Sequence, residues 1–186
     1  MPALICGSLA FDTICNFPGR FAQQILPEQV HILNVSFVVP TLRREWGGCA
    51  GNIAYTLKML GGEPVILAAL GEDGREYMAR FEQMQIDTSS IHVDAQEHTA
   101  QCTIITDQDN NQITAFHPGA MSVAHLAPVP TRAQRSDLAI GIIAPDGRIA
   151  MGQHAQQLHD QGIPFVFDPG QQLPQFDGAE HREMLG

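Results

Sequence analysis

Residues 47–62 have the sequence GGCAGNIAYTLKMLGG, and this stretch decides the fold that the chain is predicted to have. Its apolar side chains recur at intervals of three and four residues, which is typical of one face of an α-helix. The members of this face are Ala50, Ile53, Ala54, Leu57 and Leu60. Gly61-Gly62 ends the predicted helix, because glycine accepts the left-handed conformation of a C-cap.

The glycine pair before this helix, Gly47-Gly48, predicts a loop that can bind a ligand. Glycine lets a ligand approach backbone N–H groups closely, and a helix N-terminus carries partial positive charge. Asn52 falls in the first helical turn, where its amide can donate to and accept from a hydroxyl. The alternative interpretation is a tight loop before a core helix, with Asn52 as a local cap. The helix start also favours a lowered pKa for the Cys49 thiol.

Strands and helices alternate on both sides of this helix. Apolar runs at 3–8, 65–70, 138–143 and 164–167 predict buried strands, with helices between them. A further strand is predicted at 36–42. The alternation favours an α/β fold in which helices cover a parallel sheet.

Residues 102–106 and 112–116 flank the turn sequence Asp109-Asn110-Asn111 and predict a β-hairpin. Its alternating polarity does not suit the middle of a parallel sheet, so we expect it to stand off as a flap or lid. Ligands of open α/β sheets bind beyond the carboxyl ends of the strands, which directs attention to Asp12, just after the first strand. Its carboxylate can accept hydrogen bonds from two neighbouring sugar hydroxyls. The alternative is a turn residue that caps its own backbone.

The composition excludes several classes of protein. The 186 residues are 44% hydrophobic and 16% charged, which argues against disorder. A formal net charge of -10 argues against a nucleic-acid partner or an anionic membrane. The four cysteines form no C-x-x-C pair, so we expect reduced thiols in a cytoplasmic protein. No signal peptide is predicted, and no apolar stretch reaches the about 18 residues of a membrane helix.

The motifs together resemble a known family. The sequence GSLAFD at 7–12, followed by the glycine pair and Asn52-x-Ala54, resembles the N-terminal signature of the ribokinase-like, or PfkB, carbohydrate kinases. The sequences GEDG at 71–74 and IDT at 86–88 extend the resemblance. It implies a three-layer α/β/α fold with a mainly parallel sheet and a small β-strand lid. It also implies that residues 1–186 form an incomplete domain, the N-terminal portion of a longer family member.

The lid strands implied by the resemblance lie at about 11–17, 34–45 and 101–117. The implied activity transfers the γ-phosphoryl group of ATP, with Mg²⁺, to a hydroxymethyl group of a nucleoside or sugar. In the family, residues that match Asp12 and Asn52 hold sugar hydroxyls, and glycines that match Gly47 and Gly48 bring backbone amides to the sugar. Lid closure would exclude water from the reacting groups. Pairing of two chains through the lid is a further option.

Departures from the ribokinase pattern indicate a branch of the family. Ala10 stands where ribokinases have asparagine, and Cys49 stands where they have lysine. The sequence is more similar to the adenosine-kinase-like branch. Phe116 on the lid would then stack on a purine, and the alternative for this side chain is simple packing. Adenosine, ribose and fructose all stay open as substrates.

The catalytic segment of the family is absent from the sequence. A late Asp-Thr-x-Gly-Ala-Gly-Asp run supplies the family's anion hole and its general base, and no such run occurs in residues 1–186. We therefore expect the general base beyond residue 186. Within residues 1–186 we assign no catalytic residue and no metal ligand. Phosphoryl transfer depends on positioning and charge stabilisation, so the chain alone is expected to be inactive. The alternative is a non-catalytic module that binds a nucleoside or sugar.

Overall fold

The computed structural model describes residues 1–185. The strands are β1 (Pro2–Cys6), β2 (Ala10–Asn16), β3 (Thr41–Gly47), β4 (Glu63–Gly71), β5 (Asp87–Asp94), β6 (Ala100–Thr106), β7 (Gln112–His117), β8 (Ile140–Ile143) and β9 (Phe165–Phe167). The α-helices are α1 (Cys49–Met59), α2 (Arg75–Gln83), α3 (Arg148–Asp160) and α4 (Gly178–Leu185). Short 3-10 turns lie at Phe21–Gln23, Pro27–Ile32, Glu72–Gly74, Gly119–Leu126 and Gly170–Gln175. None of the helices within residues 1–185 is both long and apolar enough to cross a membrane.

The main sheet is parallel and buried on both faces. Within the described residues it has five strands in the order β5-β4-β1-β8-β9. Successive side chains of β1 enter opposite layers, as in any strand. Leu4 and Cys6 belong to the apolar cluster that contains Met151 of α3, whereas Ile5 belongs to the cluster that contains Ala54 of α1. The predicted three-layer α/β/α arrangement is confirmed.

A second, smaller sheet rises from one end of the main sheet. Across residues 1–185 it has four strands in the order β3-β2-β6-β7, and the predicted hairpin is its β6-β7 pair. β2 runs antiparallel to β3 and parallel to β6. Residues 17–40, called the flap below, connect β2 to β3. Phe21 of the flap donates its N–H to the Asp107 carboxylate in the hairpin turn at 2.9 Å, which ties the flap to the hairpin.

The prediction of a strand at 36–42 is wrong. The strand in this region is β3, which starts at Thr41 and has the sequence TLRREWG. It lies at an edge of the second sheet, and its first five residues are exposed. A solvated edge strand needs few apolar residues, so its charged sequence does not show the pattern of a buried strand.

The two sheets are joined firmly at the residue before β6. Thr99 is fully buried, and its N–H and hydroxyl both donate to Asp73 Oδ1 at 2.7 Å. The Thr99 hydroxyl oxygen also accepts the N–H of Gly71, the last residue of β4, at 3.1 Å. The GEDG sequence at 71–74 therefore anchors the second sheet to the end of β4 in the main sheet.

Replacing Thr99 by valine should test this junction. Thr99→Val keeps the shape of the side chain but removes the hydroxyl, which leaves the buried Gly71 N–H without its acceptor. The free energy of unfolding is expected to fall by about 1–3 kcal/mol. Thr103→Val, at an exposed position of β6, is the matched control and should stay within about 0.5 kcal/mol of wild type. Urea unfolding measures both, and equal stabilities for the two variants would contradict the assignment.

Candidate functional site

The candidate site lies at the carboxyl edge of the main sheet, where the second sheet begins. β1 leads there into Ser8, β8 into Asp146 and β9 into Asp168. α1 starts at the same edge with Cys49, directly after the glycine pair. Parallel strands bring the residues that follow them to one edge, which is the usual binding edge of such sheets.

Gly47 and the carboxylate of Asp12 are in close contact. Asp12 lies within β2, and Gly47 is the last residue of the neighbouring β3. A Cβ atom built on Gly47 would lie 2.4 Å from Asp12 Oδ2 and 2.7 Å from Oδ1. The absent side chain is therefore what gives this carboxylate its place, and any other residue at 47 would displace it. Burial raises the pKa of Asp12.

Ser8 fixes the start of α1. Its side-chain oxygen accepts the Cys49 N–H at 3.1 Å, and its backbone carbonyl accepts the Ala50 N–H at 3.0 Å. Gly48 precedes them with φ +87°, a conformation that other residues rarely adopt. A Cβ atom there would meet the Ser8 carbonyl oxygen at 2.5 Å. Two of the backbone N–H groups at the N-terminus of α1 thus already donate hydrogen bonds to Ser8.

Asp12 and Phe116 lie in one row of directly paired residues that crosses the second sheet. Residues paired directly across strands share a face, and Asp12 is paired with Cys102, which is paired with Phe116. Two strand spacings place Phe116 roughly 10 Å from Asp12 along this row. Phe116 is 51% exposed. Asn52, in the first turns of α1, also has an exposed side chain, and its N–H donates to the Gly48 carbonyl at 3.1 Å.

Carboxylates surround the start of α1 and overturn one expectation for Cys49. Its pKa is raised, not lowered: burial is the main cause, and the negative charges of Asp168, Asp146 and Asp12 act in the same direction. A hydrogen bond with Ser8 opposes them and is outweighed. The prediction of a lowered pKa is therefore wrong, because desolvation and three carboxylates outweigh the partial positive charge of the helix end.

Asp146 is a residue that the sequence analysis missed. It is 1% exposed, and its Oδ1 accepts the Gly147 N–H at 2.8 Å. Its Oδ2 is buried and has no hydrogen-bond partner within the described residues. Burial raises the pKa of Asp146 to about 7. The signal was its place shortly after an apolar strand and just before a helix, at the edge of the sheet where ligands bind.

The chemistry of the site is that of hydrogen-bond acceptance. Carboxylate oxygens accept from hydroxyl and N–H groups, so a neutral ligand with several hydroxyls fits better than an anion. Within residues 1–185, no three His, Cys, Asp or Glu side chains are grouped so that they could hold a metal ion. The described carboxylates can therefore accept hydrogen bonds from a polar ligand.

Known proteins resemble this chain over nearly its whole length. The model of the family described as pfkB family carbohydrate kinase matches residues 18–184. A nucleoside kinase of Methanothermobacter thermautotrophicus is 31% identical over 187 residues, which cover 98% of this chain and 56% of that relative. The chain thus spans about half the length of this relative.

Solved structures give the same result. Burkholderia thailandensis nucleoside kinase in complex with inosine has a TM-score of 0.82 and 46% identity, over 98% of this chain and 57% of that one. The same protein in complex with ADP-inosine has a TM-score of 0.77 and 48% identity, over the same shares of the two chains. Methanocaldococcus jannaschii nucleoside kinase, an archaeal member of the ribokinase family, has a TM-score of 0.83 and 29% identity, over 99% of this chain and 57% of that one.

The buried carboxyl of Asp146 should make stability depend on pH. Its pKa is about 7 in the folded chain and near the ordinary 3.8 when unfolded, so the folded state binds more protons between these values. Wild type therefore loses stability as pH rises through this window, by roughly 4 kcal/mol in total. Asp146→Asn cannot ionise and keeps the acceptor for Gly147, so it should become progressively more stable than wild type up to pH 7.

The measurement is urea unfolding of both proteins between pH 4 and pH 8. Asp160→Asn, at an exposed position of α3, is the matched control and should follow the wild-type curve. A difference between Asp146→Asn and wild type that does not change with pH would refute the assignment.

Proposed function

The chain belongs to the pfkB family of carbohydrate kinases, and on that premise we propose that it carries the nucleoside-binding half of an ATP-dependent nucleoside kinase. The proposed reaction transfers the γ-phosphoryl group of ATP to a hydroxymethyl group of the nucleoside. Adenosine-like purine nucleosides are the proposed substrates, and a free sugar such as ribose is the neighbouring option within the same reaction.

The observation that carries the proposal is the contact of the Asp12 carboxylate with the bare backbone of Gly47. A carboxylate held in this way can accept hydrogen bonds from two adjacent hydroxyls, as a ribose ring presents them. The glycine pair leaves room for the sugar beside the backbone. Asn52, exposed in the first turns of α1, supplies a donor and an acceptor at the same edge.

The relatives support the choice of ligand. The Burkholderia protein has been seen with inosine and with ADP-inosine, and both it and the archaeal relatives carry the name nucleoside kinase. A purine nucleoside is neutral, which suits a site edged by the carboxylates of Asp12, Asp146 and Asp168. ATP as the phosphoryl donor enters the proposal from the family and from the ADP-containing complex.

The second sheet is proposed to act as the lid over the substrate. Its strands overlap the ranges expected for lid strands, at about 11–17, 34–45 and 101–117. They are Ala10–Asn16, Thr41–Gly47, Ala100–Thr106 and Gln112–His117. Asp12 and Phe116 lie on the same face of this sheet, so a nucleoside held by Asp12 through its ribose would bring its base toward the Phe116 ring. Closure of the sheet would remove water from the hydroxymethyl group.

Two further proposals concern the oligomeric state and the cellular location of the protein. Pairing of two chains through the second sheet is supported by exposed apolar side chains in the flap and on β3, where Val38 is 80% and Leu42 66% exposed. A cytoplasmic location is supported by the cysteines, since Cys6, Cys15, Cys49 and Cys102 are all free thiols in the described chain.

The residues of this chain are proposed to bind and orient the nucleoside, and not to perform the proton transfer. Mg²⁺ would neutralise the phosphates of ATP, and no ligand for it is assigned among these residues. Positioning without a general base and an anion hole gives little acceleration of phosphoryl transfer. The 186-residue chain by itself is therefore proposed to be inactive as a kinase. The alternative, a module that only binds a nucleoside or sugar, rests on the same site.

Substitutions at the site should weaken nucleoside binding. Asp12→Ala and Asn52→Ala each remove hydrogen bonds to the ribose, and a charged acceptor is worth more than a neutral one. We expect the affinity for inosine or adenosine to fall roughly ten- to hundredfold for Asp12→Ala and by less for Asn52→Ala. Isothermal titration with inosine, adenosine, ribose and fructose measures this. Asp160→Asn and Asn34→Ala, both at exposed positions, are the controls, and unchanged affinities in both site variants would show the site to be misplaced.

A coupled assay of ADP release tests the activity of the chain itself. Purified protein with Mg-ATP and the same four compounds is expected to show no substrate-dependent turnover, although it binds the nucleosides. Clear turnover would show that the chain needs no further segment for phosphoryl transfer. Neither turnover nor binding, from protein shown to be folded, would overturn the kinase proposal and the binding-module alternative together.

A further inference from the structure

Tyr77 makes a buried hydrogen bond to the glycine pair from outside the candidate site. It lies on α2, is 1% exposed, and donates its hydroxyl to the Gly47 carbonyl oxygen at 2.7 Å. The chain has two tyrosines, and the other, Tyr55, is 42% exposed on α1. No motif in the sequence pointed to Tyr77, because its partner lies 30 positions away.

Aromatic neighbours fix the direction of the Tyr77 ring. Its centroid lies 4.6 Å from that of Phe81, 5.0 Å from Trp46 and 5.6 Å from Phe11. A ring packed on several sides in a dense core has one rotamer available. The hydroxyl is therefore held at one point, and the Gly47 carbonyl must come to it.

The absence of a side chain at Gly51 leaves room for the Tyr77 hydroxyl. A Cβ atom built on Gly51 would lie 2.1 Å from Tyr77 Oη, a distance that no real contact allows. The same Cβ would lie 3.1 Å from Cζ and 3.2 Å from Leu9 Cδ2, and these tight contacts can be relieved by small shifts. Gly51 and the hydroxyl of Tyr77 are thus a matched pair: the glycine is required by the oxygen atom, and far less by the ring.

The hydrogen bond from Tyr77 fixes the orientation of the whole peptide group between Gly47 and Gly48. The Gly47 carbonyl and the Gly48 N–H belong to one planar peptide and point in opposite directions, so fixing the oxygen also fixes the N–H. Two successive glycines are the residues that lose most conformational freedom on ordering. A segment of this kind keeps one conformation only if its surroundings hold it, and Tyr77 holds it opposite Asp12.

We propose that Tyr77 is a positioning residue for the nucleoside: its hydroxyl holds the Gly47-Gly48 backbone against the Asp12 carboxylate and so sets the affinity of the site. Tyr77 touches no substrate in this arrangement and is not a catalytic residue. The inference rests on the proposed function for the identity of the ligand. The positioning of the glycine pair can be tested without any ligand.

Four variants separate positioning from packing. Tyr77→Phe removes only the oxygen atom, and Tyr55→Phe makes the same change at the exposed tyrosine. Gly51→Ala introduces the clash with the hydroxyl, and Gly51→Ala combined with Tyr77→Phe removes that clash again. Isothermal titration with inosine gives the affinities, and urea unfolding followed by the fluorescence of Trp46, the single tryptophan, gives the stabilities.

We expect Tyr77→Phe to weaken inosine binding about tenfold, the effect of one lost hydrogen bond, and Tyr55→Phe to stay within about twofold of wild type. Gly51→Ala should lower both stability and affinity. The double variant should recover most of the stability that Gly51→Ala loses, while its affinity stays at the weakened level. Recovery of wild-type affinity in the double variant, or full affinity in Tyr77→Phe, would overturn the proposal, because packing alone would then explain Tyr77.

Hydrogen exchange of the backbone amides at 47–52 separates this inference from the proposed function. If wild type binds no nucleoside, the proposed function fails, and the exchange experiment still decides the role of Tyr77. Faster exchange in Tyr77→Phe than in wild type and Tyr55→Phe supports the positioning of the glycine pair. Equal exchange in all three proteins refutes it.

Discussion

The absence of a side chain at Gly47 is the constraint on which the candidate site depends. It lets the backbone lie against the Asp12 carboxylate, while the carbonyl of the same residue accepts the Tyr77 hydroxyl. Ser8 then fixes the following residues by capping α1 with its hydroxyl and its carbonyl. An acidic side chain, a helix start and a buried tyrosine are thus brought together around a segment that has no side chain of its own.

α2 and the turn before it support the second sheet as well as the site. The side chains that reach the second sheet recur every three or four residues, so they lie on one side of this segment. They are Asp73, which holds Thr99; Glu76, which pairs with Arg44 at 2.6 Å; Tyr77, which holds Gly47; and Arg80, which lies over the Trp46 ring at 5.3 Å. The second sheet is therefore held in place by α2 and its preceding turn, which contribute no residue to the face that carries Asp12 and Phe116.

The sequence predicted the buried and local parts of the structure and missed the exposed and long-range ones. The period of residues 50–60 predicted α1, and continuous apolar runs predicted β1 and β4, because burial on both faces leaves a clear pattern. β3 is a solvated edge strand and β5 a half-buried edge strand, and both have polar sequences, so propensity and period both fail there. The family resemblance singled out Asp12 and Asn52. Asp146 and Tyr77 matter through burial and distant partners, which no local window contains.

The parallel pairing of β2 with β6 has a consequence for how the chain reaches its structure. Ala10 pairs with Ala100, and the residues between them include β4, α2 and β5 of the main sheet. Pairings between distant residues are slow, because a long loop must close before they contribute. On a ribosome that adds roughly 5–20 residues per second, β2 waits for β6 for roughly 5–20 s. On the ribosome the face that carries Asp12 is thus assembled after β4 and β5 of the main sheet but before β8 and β9, and one edge of β2 stays open to wrong partners until β6 arrives.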